Sequence, residues 1–142
     1  YKLCTFLITG MTIFLIVSTL YPNGQHLRPQ SFAHDNIFVT LVQWVYETDT
    51  PTNLFPSIHV YNSLGVHFAI INSECFRKNK PVRITSFVLM TSIILATMFL
   101  KQHSVFDVIT AFLLAIVMYS FVYGKGFAFS RQKSFEDLAH HI

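Results

Sequence analysis

The sequence predicts an all-α, polytopic membrane helix bundle with four spans and a short interfacial helix. Three observations carry that reading. Of 142 residues, 52% are hydrophobic and 12% charged, about half the charged share of a soluble domain, which averages about 25%. The mean hydropathy of +0.47 agrees. The apolar runs are long and are not interrupted by polar faces, as they would be in a soluble core. The basic residues also fall almost wholly on one side of the bundle these runs would form.

The runs occur in order along the chain. Leu3 to Leu20 is almost wholly apolar, about the length needed to cross a bilayer core. It has no basic leader and no small-residue cleavage site, so it does not read as a signal peptide. From Tyr21 to Asn53 the chain is more polar, with a shorter apolar stretch from Ile37 to Tyr46. That stretch is too short to span and reads as an interfacial or re-entrant helix. Thr48 to Asn53 forms a turn cluster. Pro56 to Ile71 is the second span and the most polar, carrying His59, Asn62, Ser63 and His67. A basic hinge runs from Arg77 to Arg83. Ile84 to Leu100 is the third span and Ser104 to Tyr123 the fourth. Residues 1–123 thus form a membrane domain, and 124–142 a polar cytoplasmic tail. The start at Tyr1, against an apolar run, suggests the C-terminal part of a longer chain.

Four spans place alternate connections on opposite sides. Lys2, Arg77, Lys78, Lys80, Arg83, Lys125, Arg131 and Lys133 then share one side, and only Arg28 and Lys101 the other. The basic side is cytoplasmic by the positive-inside rule. His59 and His103 are therefore expected to face away from the cytoplasm. A net charge of +3 does not point to nucleic acid, because the cations are not interleaved with aromatics on a polar surface. Cys4 and Cys75 form no disulfide framework and no metal-type spacing.

His59 follows Pro56-Ser57-Ile58, a pattern that opens a helix with proline in its first turn. The free N–H groups there favour an anion. His103 and Asp107 are four residues apart, which puts them on one face at the start of the last span. An intramembrane carboxylate needs a partner, and a carboxylate beside an imidazole fixes its tautomer. Arg28 supplies a planar fork suited to phosphate oxygens, and Lys101 a second cation. Two histidines, two cations and a helix N-terminus suit a phosphoester: the cations hold the anion, one His attacks phosphorus and the other protonates the leaving oxygen. Zinc on His59, His103 and Asp107 is the rival reading, and the neighbouring cations Arg28 and Lys101 oppose it. An anion transporter using the same polar site, or a non-catalytic relative, stands as the reading from another class. His67 is expected to hydrogen-bond between helices. His26 and His34 read as loop residues, and His140 and His141 as solvated tail.

Arg28-Pro29, Pro56-Ser57-Ile58-His59 and His103-Ser104-Val105-Phe106-Asp107 together resemble the type 2 phosphatidic acid phosphatase (PAP2) superfamily, from about Tyr21 to Ala115. The resemblance implies a PAP2/chloroperoxidase-like bundle, usually of six spans, of which the first two would be missing here. It implies a phosphohistidine mechanism with no cofactor and no metal, acting on a lipid phosphate. His103 would be the nucleophile, Asp107 its orienting partner, and His59 the general acid. Arg28, the Ser57 region and Lys101 would bind phosphate. The chain departs from the family pattern at Tyr21, where a Lys is usual, and at Ala96 and Thr97, where Ser-Arg is usual. The missing third-motif Arg is shared with the sphingomyelin and inositol-phosphorylceramide synthase branch, which makes a lipid head-group phosphotransferase the alternative to a phosphatase.

Overall fold

A computed structural model describes residues 1–22, 24, 27–29, 31–32, 36–48 and 55–124. Among these residues there are five helices and no strand: α1 (Lys2–Leu20), α2 (Ile37–Thr48), α3 (Ile58–Asn72), α4 (Lys80–Phe99) and α5 (Val105–Tyr123). Three of them, α1, α4 and α5, are long and apolar enough to cross a membrane. The expected fourth span, α3, has 15 residues. At 1.5 Å per residue it reaches roughly 22 Å, short of a hydrocarbon core of about 30 Å.

α3, which carries His59, Asn62, Ser63 and His67, is the most enclosed helix. α3 packs against α4, α5 and α1, and α1 also packs against α5. The molecule is apolar on its outside as well as its inside. On α5, Val108, Ala111, Ala115, Met118 and Val122 face the core, while Ile109, Leu113, Ile116, Val117 and Phe121 are exposed. A helix that is hydrophobic all round, with only one face covered by protein, suits a membrane setting.

α1 and α3 are joined by a reciprocal fit. The Phe6 and Tyr61 rings stack at 4.5 Å, and the Tyr61 hydroxyl donates to the Phe6 carbonyl at 2.9 Å. Tyr61 lies across Gly10 of α1, and Phe6 lies across Gly65 of α3. Each helix contributes the glycine that seats the other's aromatic ring, as close helix approach in membranes requires.

Helix ends differ from the expected ones in instructive ways. α4 begins at Lys80, capped by Asn79, whose Oδ1 accepts from the Val82 N–H at 3.3 Å, with Pro81 in the first turn. The last four residues of the expected basic hinge are therefore helical. Pro56 is not in the first turn of α3. It precedes the cap, Ser57, across a cis Phe55–Pro56 bond. The short helix α2 takes in Thr48, the first residue of the expected turn cluster; 49–53 lie outside the described residues, as do His26, His34 and 125–142.

The two ends of the bundle differ in charge. Lys2 lies over the Tyr123 ring at 5.5 Å, and the Tyr119 hydroxyl donates to Asn72 Oδ1 at 3.2 Å. The start of α1 and the ends of α3 and α5 therefore meet, near the Ser73–Asn79 turn and its cations. At the opposite end, the Ser57 N–H donates to the Asp107 carbonyl at 3.4 Å, and the Tyr46 hydroxyl to the Leu100 carbonyl at 2.8 Å. Arg28 and Lys101 belong to that end.

Candidate active site

The site forms where α3 and α5 begin and α4 ends. Ser57 caps α3: it is fully buried, and its Oγ accepts from the Val60 N–H at 3.4 Å. His59 is the second residue of α3 and is exposed. Phe55, just before the cap, stacks on Phe106 of α5 at 5.5 Å. This stack and the Ser57–Asp107 backbone bond fix the two helix N-termini side by side.

His103 reaches the site from a turn, not from a helix. Ser104 caps α5, so His103 precedes the cap; the expectation that it shares a helical face with Asp107 is corrected. The turn before it explains its position. At the end of α4, the Lys101 N–H donates to the Met98 carbonyl and the Gln102 N–H to the Thr97 carbonyl, both at 3.0 Å. This is a Schellman closure. Its left-handed position is Lys101, with φ of 50°. The Thr97 carbonyl also accepts from the His103 N–H at 3.3 Å. The chain therefore turns sharply and delivers His103 onto α3.

There His103 is buried, 7% exposed, and its ring lies 5.6 Å from that of His59, edge to face at 60°. Its Nδ1 is 3.9 Å from Asp107 Oδ2, an electrostatic contact longer than a hydrogen bond. The same Oδ2 accepts from the Ser104 N–H at 2.8 Å, while Ser104 Oγ accepts from the Asp107 N–H at 3.2 Å. Asp107 therefore closes a capping box and faces the imidazole at once. The Ser-x-x-Asp spacing just before an apolar run was the signal for the capping box, which the reading of His103 and Asp107 as a pair passed over.

Arg28 is part-buried at the same end. Its Nη1 donates to the Tyr46 carbonyl at 3.1 Å, and its guanidinium lies over the Tyr46 ring at 4.7 Å. Tyr46 in turn holds the end of α4 through Leu100. Lys101 is exposed beside this contact. Ser57 Oγ accepts the capping bond from Val60, and the free N–H groups of the first turn of α3 beside it make a helix end that favours an anion. Of the positions where the sequence departs from the pattern it resembles, Thr97 is buried with its hydroxyl donating to the Ile94 carbonyl at 2.8 Å, while Ala96 and Tyr21 are exposed. His67 makes the interhelical hydrogen bond expected of it, its Nδ1 lying 3.0 Å from Ser86 Oγ. Among the described residues, no group of three His, Cys, Asp or Glu side chains is placed to hold a metal ion.

The arrangement gives a buried imidazole with a carboxylate at one nitrogen, an exposed imidazole beside it, a helix N-terminus, and two cations at the same end. No family model, curated protein or solved structure matches the chain.

Proposed function

We propose that this chain is an integral membrane lipid-phosphate phosphatase that works through a phosphohistidine. The observation that carries the reading is the His59–His103 pair, 5.6 Å apart, with Asp107 on the Nδ1 side of His103 alone. Asp107 favours the tautomer with its proton on Nδ1, leaving the lone pair of Nε2 to attack. In the first step Nε2 bonds to phosphorus and the bond from phosphorus to the lipid oxygen breaks. That oxygen takes a proton from His59. In the second step His59 accepts a proton from water, the water oxygen bonds to phosphorus, and the N–P bond breaks to release phosphate. Arg28, Lys101 and the α3 N-terminus stabilise the charge on the phosphoryl oxygens. The site end faces away from the cytoplasm, with α3 as a fourth, short membrane segment, because the described cations gather at the other end.

The alternative acceptor is a lipid alcohol, which makes the protein a head-group phosphotransferase. Thr97 favours it: the position that carries an Arg in the phosphatases is buried and has its hydroxyl engaged.

The test uses the whole protein in detergent with a chelator present, and phosphatidic acid or an isoprenyl diphosphate as substrate. His103→Ala is expected to lower phosphate release by roughly a thousandfold or more, as loss of a nucleophile does, and to abolish an acid-labile phosphate label. Normal turnover by that variant would remove His103 from the mechanism.

A further inference from the structure

We infer that the basic end of the α3–α4 seam binds the phosphate of an anionic phospholipid, in the leaflet opposite the histidine pair. The inference rests on the membrane reading of the bundle and not on the chemistry of His103. A cavity of about 360 Å³ opens there between His67 and Ile71 of α3 and Lys80, Arg83, Ile84 and Phe87 of α4. That lies at the small end of ligand pockets, which span about 300–1,000 Å³. It suits a phosphate head group with its chains trailing outward.

Two features together suit an anionic lipid: a pair of cations and an apolar wall. Lys80 and Arg83 are three residues apart on one helix, so both flank one opening. No carboxylate lines the cavity. Apart from His67, whose Nδ1 is engaged with Ser86, the remaining wall is apolar, and Ile84 and Phe87 are 63% and 54% exposed. A soluble phosphate gains nothing from such a wall, whereas an acyl chain covers it. Arg83 Nη1 donates to the Arg77 carbonyl at 3.4 Å, which holds the guanidinium at the level of the turn. Basic pockets between membrane helices on the cytoplasmic side recognise phospholipid head groups by this combination of charges and apolar wall.

The test measures lipid retained by the whole protein, reconstituted with phosphatidylglycerol diluted in phosphatidylcholine, then extracted in mild detergent and weighed by native mass spectrometry. Phosphatidylglycerol is expected to be retained over phosphatidylcholine. Lys80→Gln with Arg83→Gln is expected to weaken retention about thirtyfold, a factor of about five for each cation near an anionic lipid. Ile84→Trp fills the cavity and leaves both charges in place, and it is expected to release the lipid as well. Equal retention of the two lipids by the unaltered protein would overturn the site. So would loss of retention in the double variant with none in Ile84→Trp, which marks diffuse surface attraction. Displacement by millimolar inorganic phosphate would assign a free-anion site instead. His103→Ala should retain the lipid fully, which keeps this result separate from the test of catalysis.

Discussion

At the scale of single residues, the site is governed by two side chains that each serve two purposes. Lys101 sits in a left-handed conformation that glycine adopts without strain. A non-glycine residue there gives up about 1 kcal/mol. Lys101→Gly should therefore raise stability by up to about 1 kcal/mol while removing a cation from the phosphate site. Thermal unfolding and substrate KM, measured on the same variant, should both rise, stability improving while affinity weakens. A higher Tm with an unchanged KM would mean that Lys101 does not contact the anion. Asp107 is the second case. Asp107→Asn keeps an oxygen for the Ser104 N–H but removes the charge facing His103. It should cost little stability, under about 1 kcal/mol for an exchanged cap, and should reduce kcat by roughly a hundredfold or more through the wrong imidazole tautomer. Equal stability with unchanged kcat would leave Asp107 a capping residue only. Spacing made the neighbourhood of His103 and Asp107 legible in the sequence. It did not reveal that His103 stands outside the helix, because that depends on a Schellman turn whose left-handed position is a lysine and so carries no glycine signal.

At the scale of elements, the α1–α3 crossing is the most specific contact in the bundle. A methyl group added at Gly65 would sit 2.6 Å from the Phe6 ring. Gly65→Ala should destabilise by about 1–3 kcal/mol, as overpacking does, and Gly10→Ala should act similarly through Tyr61. Their combination should cost less than the sum, since both disturb one stacked pair; detergent-resistant unfolding of the single and double variants measures this. An additive result would mean the two seats are independent. The helices themselves were largely legible, because an apolar run of span length has few alternatives. The boundaries were less so. Asn79-Lys80-Pro81 carries the cap and proline that start α4, yet the run of cations there reads as a hinge. Pro56 shows the converse: the rule that places proline inside the first turn put it two residues too far into α3, since Ser57 caps behind it. α2 was legible as a non-spanning helix. Ile37, Phe38, Leu41 and Trp44 remain exposed on it, which suits a helix lying in the interface.

At the scale of the whole molecule, the pairing of helix ends makes the sidedness measurable with the protein's own thiols. Cys75 is free and exposed in the turn after α3, at the basic end. In a Cys4→Ser background, a membrane-impermeant maleimide should label Cys75 only when it reaches the cytoplasmic face. Gln102→Cys, in a Cys4→Ser, Cys75→Ser background, should label only from the other face. Labelling of both from one side would break the assignment of the two ends to opposite faces. Charge counting along the sequence is the ground for this sidedness, which the labelling tests; the packing of α3 at the centre did not follow from it, because enclosure depends on tertiary contacts and not on charge. The length of α3 has one more consequence. If α3 is the proposed fourth membrane segment, a central helix several ångströms shorter than its neighbours would create hydrophobic mismatch, which the bilayer relieves by thinning. On the proposed arrangement the histidine pair, at the end of that helix, would stand at the foot of a shallow depression. A lipid diffusing in the outer leaflet would there bring its head group down to the imidazoles without leaving the membrane.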